Sequence, residues 1–223
     1  MTIKAILFDL DNTVLDRTRS LELYLTWEAD EHLNLSHDDC ERYIESFMEL
    51  DANGMTAKEK VYADLIKQFG LQFTVAELTD TYRTQFGRFS CEKRHAKDAV
   101  TTLRSNGLKT GIVSNGKSPF QENKLTDLGM ADDFDTVVVS ESAGVRKPDP
   151  AIFALACDNL GVSAADCVFV GDNPVADIEG ANKVGMFSVF VPSRHYPACA
   201  VADAICRDMR DLPSVVAEAN KTH

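Results

Sequence analysis

Five short apolar runs constrain this chain more than any other feature: residues 3–8, 109–113, 136–139, 167–170 and 187–191. They are rich in Val, Ile and Phe and do not alternate with polar residues. A strand with one wet face alternates, whereas a strand covered on both faces reads as a continuous apolar run. Helical segments separate the later runs. Residues 96–106 carry Ala99, Val100 and Leu103 at helical spacing. Segments 119–129, 150–160 and 174–185 begin with Ser118-Pro119, Asp149-Pro150 and Asn173-Pro174, each a capping residue followed by a proline suited to the first helical turn. Strand and helix in alternation predict an α/β doubly wound parallel sheet.

The stretch 16–90 breaks that alternation. It holds no convincing strand. Leu21, Leu25 and Ala29 mark one helical face, and Tyr43, Ile44, Phe47 and Met48 another. Val61, Tyr62, Leu65, Ile66 and Phe69 mark a third, and Leu78, Tyr82 and Phe86 a fourth. A simple crossover needs far fewer residues. The expected organisation is a core made of 1–15 and 91–223, interrupted by an all-helical insertion at 16–90.

Charge and composition narrow the function classes. The net charge of -12 repels nucleic-acid backbones and anionic membranes, so neither is an expected partner. An anionic small molecule remains compatible, because a bound divalent cation reverses the local field. No apolar run approaches a membrane span. The start, Met1 to Phe8, is too short in its apolar part for a signal peptide and reads as the first core strand of a cytoplasmic protein. The six cysteines form no C-x-x-C pair, which suits reduced thiols. Oligomeric state leaves no trace in the sequence.

Four separated signals point to one chemistry. Asp9 and Asp11 lie in Asp9-Leu10-Asp11-Asn12-Thr13, directly after the first strand. Ser114-Asn115-Gly116 follows the second, where a hydroxyl and a free N–H could hold a phosphate oxygen. The competing reading of this segment is a plain turn with Gly116 in the left-handed conformation. Lys147 sits in Arg146-Lys147-Pro148-Asp149-Pro150, just before a helix start. Gly171-Asp172-Asn173-Pro174, with Asp177 in the next helical turn, follows the fourth strand. Singly, each could be a turn, a cap or a solvated charge. Together they fall at or near the carboxyl ends of parallel strands, where open α/β sheets bind ligands. Carboxylates, a hydroxyl and a lysine around one small volume suit magnesium and a substrate phosphate.

This set resembles the haloacid dehalogenase-like superfamily, whose motifs are D-x-D-x-T, a Ser or Thr after the second core strand, a Lys, and an acidic G-D-x(n)-D. The resemblance spans essentially the whole chain. It implies a Rossmann-like core with strand order 5-4-1-2-3, and it makes 16–90 a cap inserted after the first strand. It further implies Asp9 as a nucleophile that becomes an aspartyl phosphate, and Asp11 as the group that protonates the leaving alcohol and then activates water. The Asp9 and Asp172 side chains, with the Asp11 main-chain carbonyl, would hold Mg2+. Ser114, Asn115 and Lys147 would bind the phosphoryl group. Thr13 would brace the turn, and Asp177 would support the metal end.

Within the superfamily, Asp11 discriminates. An alkoxide leaving group needs a proton and a halide does not. The expectation is therefore a magnesium-dependent phosphatase acting on a small phosphorylated metabolite. A phosphomutase, a 2-haloacid dehalogenase and a non-catalytic binding module are the alternatives. DLDNT, NGMTAKEK and the run from Val113 to Val145 are similar to the branch holding nucleotide 5′-monophosphatases of the YjjG type and sialic acid 9-phosphate phosphatases. In such enzymes the cap supplies most substrate contacts. Arg17, Arg19, Trp27, Lys58 and Lys60 are the candidates here, against packing for Trp27 and a solvated face for the basic residues. His195 and Tyr196 are candidates for the site's rim.

Overall fold

The computed structural model describes residues 2–222. The chain divides into two compact units, one formed by the chain up to Asp16 and from Cys91 onward, the other by Arg17–Ser90. No helix among the described residues is long and apolar enough to cross a membrane.

The unit Arg17–Ser90 is helical. Helix α1 (Arg17–Trp27) runs into a π-helical turn, Glu28–His32, followed by α2 (His37–Asp51), α3 (Lys58–Phe69) and α4 (Val75–Gln85). Local chemistry sets the ends. Ser36 Oγ accepts from the Asp39 N–H at the start of α2, and Gly70 takes a left-handed φ of 62° to end α3. Thr74 and Glu77 cap α4 reciprocally. The inward faces meet in an aromatic core: Tyr24 lies edge-on to Tyr82 at 5.3 Å, and Phe47 edge-on to Tyr62 at 5.5 Å.

One carboxylate is buried inside this aromatic core. Glu28 is fully enclosed and accepts from the hydroxyls of Tyr24 (2.5 Å), Tyr43 (2.9 Å) and Tyr62 (2.9 Å). Burial raises its pKa to about 7, against the opposing effect of the three hydroxyls.

The other unit carries the sheet. Its strands are β1 (Ala5–Phe8), β2 (Lys109–Ser114), β3 (Thr136–Val139), β4 (Cys167–Gly171), β5 (Phe187–Phe190) and β6 (Ala204–Ile205). They pair in parallel in the order β3-β2-β1-β4-β5-β6. The first five follow the order expected from the resemblance. The sixth, two residues long on the edge, has no apolar run to announce it. Its polar neighbours Asp203 and Arg207 hid it.

Helices α5 (Ala96–Ser105), α6 (Phe120–Asp127), α7 (Ser140–Ala143), α8 (Pro150–Leu160), α9 (Gly180–Lys183) and α10 (Leu212–Thr222) accompany the sheet. Ile152, Phe153 and Ala156 of α8 pack on Leu7, Val113 and Phe169 in one apolar cluster. One helix start differs from the sequence expectation. Pro119 lies outside α6, with ψ 15°, and the Ser118 hydroxyl bonds the Glu122 carboxylate instead of capping. Segment 174–185 opens as a π-helical turn, Pro174–Glu179, which Asn173 caps through the Val175 and Ala176 N–H groups.

Strand β1 is central. Phe8 lies opposite Ile112 on one side and Val170 on the other. The chain order reverses there, so the carboxyl ends of β1, β2 and β4 border the crevice such sheets use for ligands.

Candidate active site

The first turn is built from main-chain bonds. The Leu10 carbonyl accepts from the N–H groups of Thr13 (3.3 Å), Val14 (3.0 Å) and Leu15 (2.9 Å). Asn12 turns the chain with φ 64°, a region that asparagine tolerates better than most side chains. The Asp9 N–H donates to Val170 O at 2.8 Å, which ties the end of β1 to β4. Thr13 is buried, yet its Oγ1 has no hydrogen-bond partner among the described residues. The turn is held by backbone, not by that hydroxyl.

Asp9, Lys147, Asp172 and Asp177 come together here. Lys147 Nζ lies 2.6 Å from Asp9 Oδ1 and 2.7 Å from Asp177 Oδ1. Carboxylate oxygens of Asp9, Asp172 and Asp177 all lie within 4.8 Å of one another, and all three residues are buried. Burial holds the Asp9 carboxyl well above the usual range; the Lys147 charge pulls it down, and the Asp177 and Asp172 charges push it up. Burial and then the Asp177 charge lift Asp172 to about 7. Burial alone would lower Lys147, but the charges of Asp177 and Asp9 outweigh it and hold the ammonium above its usual pKa.

The donor set fits a hard cation. Asp172 Oδ2 is buried without a hydrogen-bond partner among the described residues, and the three carboxylates outnumber the single lysine. Oxygen donors at a charge surplus suit magnesium. Asp9 and Asp172 have the oxygens to offer. Asp177 is more committed: its Oδ1 faces Lys147 and its Oδ2 accepts from the Asn173 N–H at 2.9 Å.

Asp11 is held differently. Lys124 Nζ donates to its Oδ1 (2.8 Å) and Oδ2 (3.1 Å). Gln121 Nε2 donates to Asp11 Oδ2 (2.9 Å) and to Ser114 Oγ (2.6 Å). Neither Gln121 nor Lys124 was singled out from the sequence. Both lie on α6, whose buried residues are Gln121, Lys124 and Leu125. A helix whose inward face is mostly polar has no apolar stripe to read.

Asn115 has a second task, and one further reading needs correction. The Asn115 side chain is occupied by the Lys147 backbone: Oδ1 accepts from its N–H at 2.9 Å and Nδ2 donates to its carbonyl at 3.0 Å. It clamps the lysine's segment, which leaves the backbone N–H as the group this residue could offer a phosphate oxygen. Gly116 has no positive φ. A Cβ there would lie 2.6 Å from Gln121 Cγ, so close approach explains this glycine, not a left-handed turn.

Five of the remaining candidates, Arg17, Arg19, Trp27, Lys58 and Lys60, belong to the helical unit. Arg17 and Lys58 both pair with Asp51 inside the helical unit. Trp27 packs there against Tyr24, His32 and Phe89. Arg19 and Lys60 are exposed, as is His195. Tyr196 packs against Ile178, Phe190 and Cys199, and its hydroxyl accepts from Asn173 Nδ2 at 3.4 Å, beside the loop that carries Asp172.

A family model described as haloacid dehalogenase-like hydrolase matches residues 3–185. The glyceraldehyde 3-phosphate phosphatase of Methanopyrus kandleri is 31% identical over 208 residues, covering 87% of this chain and 86% of its own. The ribulose-1,5-bisphosphate 5-phosphatase of Halopiger xanaduensis is 30% identical, with 89% of each chain covered. Among solved structures, YfnB of Bacillus subtilis bound to magnesium superposes with a TM-score of 0.77 at 25% identity, covering 97% of this chain and 99% of that one.

Proposed function

The chain belongs to the haloacid dehalogenase-like hydrolases, and from that premise we propose that it is a magnesium-dependent phosphatase of small phosphomonoesters working through Asp9. The observation that carries the reading is the pairing of a buried carboxylate cluster, Asp9 with Asp172 and Asp177, with a separate carboxylate two residues on, Asp11.

In the first step an Asp9 oxygen attacks phosphorus, the bond to the leaving oxygen breaks, and Asp11 gives that oxygen its proton. In the second, Asp11 takes a proton from water as the water oxygen displaces Asp9, and inorganic phosphate leaves. Lys147 and Ser114 hold phosphoryl oxygens, and Asn115 keeps Lys147 in place through its backbone. Asp177 holds the Lys147 ammonium from the other side. Bound between Asp9 and Asp172, magnesium would neutralise charge on the phosphoryl oxygens. Asp11 also favours an alkoxide leaving group over a halide, because only the former needs an acid.

The named activities of relatives make triose and sugar phosphates the first substrates to try. The test is phosphate release from a panel that includes glyceraldehyde 3-phosphate, phosphoserine, ribulose 1,5-bisphosphate and nucleoside monophosphates. Turnover should require magnesium and vanish with a chelator. Asp9→Asn should lower kcat at least about a thousandfold while the protein stays folded, since the amide is isosteric but a poor nucleophile. Retention of a tenth of wild-type activity by a homogeneous Asp9→Asn preparation, or full activity after chelation, would overturn the reading.

A further inference from the structure

The core unit holds a second buried lysine beside the reacting groups, and nothing in the mechanism above uses it. Lys124 and Gln121 lie three residues apart on one face of α6, with only 3% and 2% of their surface exposed. Burying an ammonium is costly unless a charge meets it. Here the charge is Asp11, met at both oxygens. We infer that Lys124 and Gln121 are positioning residues for Asp11, fixing its carboxylate for proton transfer and tying it to Ser114. The inference rests on the reading of Asp11 as the proton-transferring group.

Three observations separate this from an ordinary structural ion pair. First, one Gln121 nitrogen spends its protons on two functional oxygens, Asp11 Oδ2 and Ser114 Oγ. A single amide thereby sets the spacing between a proton carrier and a phosphoryl-binding hydroxyl. Second, room is kept for that amide. A Cβ on Gly116 would come within 2.6 Å of Gln121 Cγ and 2.7 Å of its Cδ, so the glycine after Ser114-Asn115 leaves space for Gln121. Third, Lys124 is itself confined, because its Nζ lies 4.9 Å from the centre of the Phe120 ring.

The consequence is mechanical. The Asp11 side chain is 24% exposed, at the edge of the site. Without fixed donors its two χ angles would sample several rotamers, and proton transfer needs hydrogen-bond reach to the reacting oxygen. Lys124 bears on the chemistry through Asp11, so its loss should fall on kcat and leave KM nearly alone. Gln121 also holds Ser114, so its loss should move both.

A double-mutant cycle on the panel's fastest alkyl phosphate tests this. Lys124→Met should lower kcat roughly ten- to a hundredfold with KM within about twofold, and Lys124→Arg should recover much of the loss. In an Asp11→Asn background the same Lys124→Met change should alter kcat by less than about twofold, because its target is gone. Equal losses in both backgrounds would overturn the inference while leaving Asp11's role intact. Wild-type kcat in Asp11→Asn alone would instead overturn the reading of Asp11, and the inference with it. If Lys124→Met does not fold, Gln121→Met replaces it in the cycle. Its kcat loss should likewise shrink in the Asp11→Asn background, and an undiminished loss there would overturn the inference.

Discussion

Gly171, the last residue of β4, has no side chain because Asp177 occupies the space. A Cβ there would sit 2.5 Å from both Asp177 Cβ and Cγ, a distance no packed pair tolerates. Asp177 cannot retreat cheaply, since it accepts from the Asn173 N–H and faces Lys147. Gly171→Ala should therefore displace Asp177 and, with it, Lys147. We expect kcat/KM to fall at least about tenfold and stability to fall by roughly 1–3 kcal/mol, the usual cost of overpacking. Steady-state kinetics beside thermal unfolding checks this, and unchanged kinetics would show that Asp177 has room to move. Neither Gly171 nor Gly116 has a positive φ, so neither is explained by local chain geometry. Their reason is a neighbour that arrives from elsewhere in the chain. That is why the sequence showed the acidic and basic residues at the strand ends but not Gln121 or Lys124. A strand end is a local signal, whereas a polar side chain facing inward from a helix gains meaning only from what it meets.

At the level of elements, the apolar runs were sufficient for five of the six strands. Five of the strands lie where uninterrupted Val, Ile and Phe predict them, because burial on both faces leaves no polar position to confuse the pattern. In the helical unit the apolar stripes located the helices but concealed what else they enclose. Glu28 falls on the same side as Leu21, Tyr24 and Leu25, where its charge would be least expected. Its pKa of about 7, against an ordinary 4.5, means that between those values the folded chain keeps a proton that the unfolded chain releases. Stability must then fall as pH rises from about 4.5 and level off above about 7. A gap of that size corresponds to roughly 3 kcal/mol. Glu28→Gln mimics the protonated form and can still meet the tyrosine hydroxyls. It should match wild type near pH 4.5 and exceed it near pH 8, by roughly 6–12 °C in Tm. A Tm difference that does not change with pH would show that Glu28 is not the titrating group.

At the scale of the whole molecule, the question is what the helical unit contributes. The residues assigned to the chemistry, from Asp9 to Asp177, all belong to the unit that carries the sheet. The chain leaves that unit after Asp16 and returns at Cys91, and the two crossings run side by side. The Asp16 N–H donates to Cys91 O at 2.9 Å, the Lys93 N–H donates to Val14 O at 2.7 Å, and Leu15 bridges Glu92 in antiparallel fashion. The cut ends are therefore already close, and closing them with a short Gly-Ser linker costs little chain entropy. We propose that Arg17–Ser90 acts as a cap that selects among leaving groups, since the phosphoryl chemistry is common to every monoester while the alcohols differ. A chain with 17–90 replaced by such a linker, once shown to fold, should bind magnesium within a fewfold of the intact protein. Its kcat/KM ratios between the best and worst members of the substrate panel should shrink by at least about tenfold, because a pocket that no longer touches the alcohol cannot discriminate by it. If both the order and the ratios of preference survive the deletion, the loops of the sheet unit read the alcohol, and the helical unit has some other task.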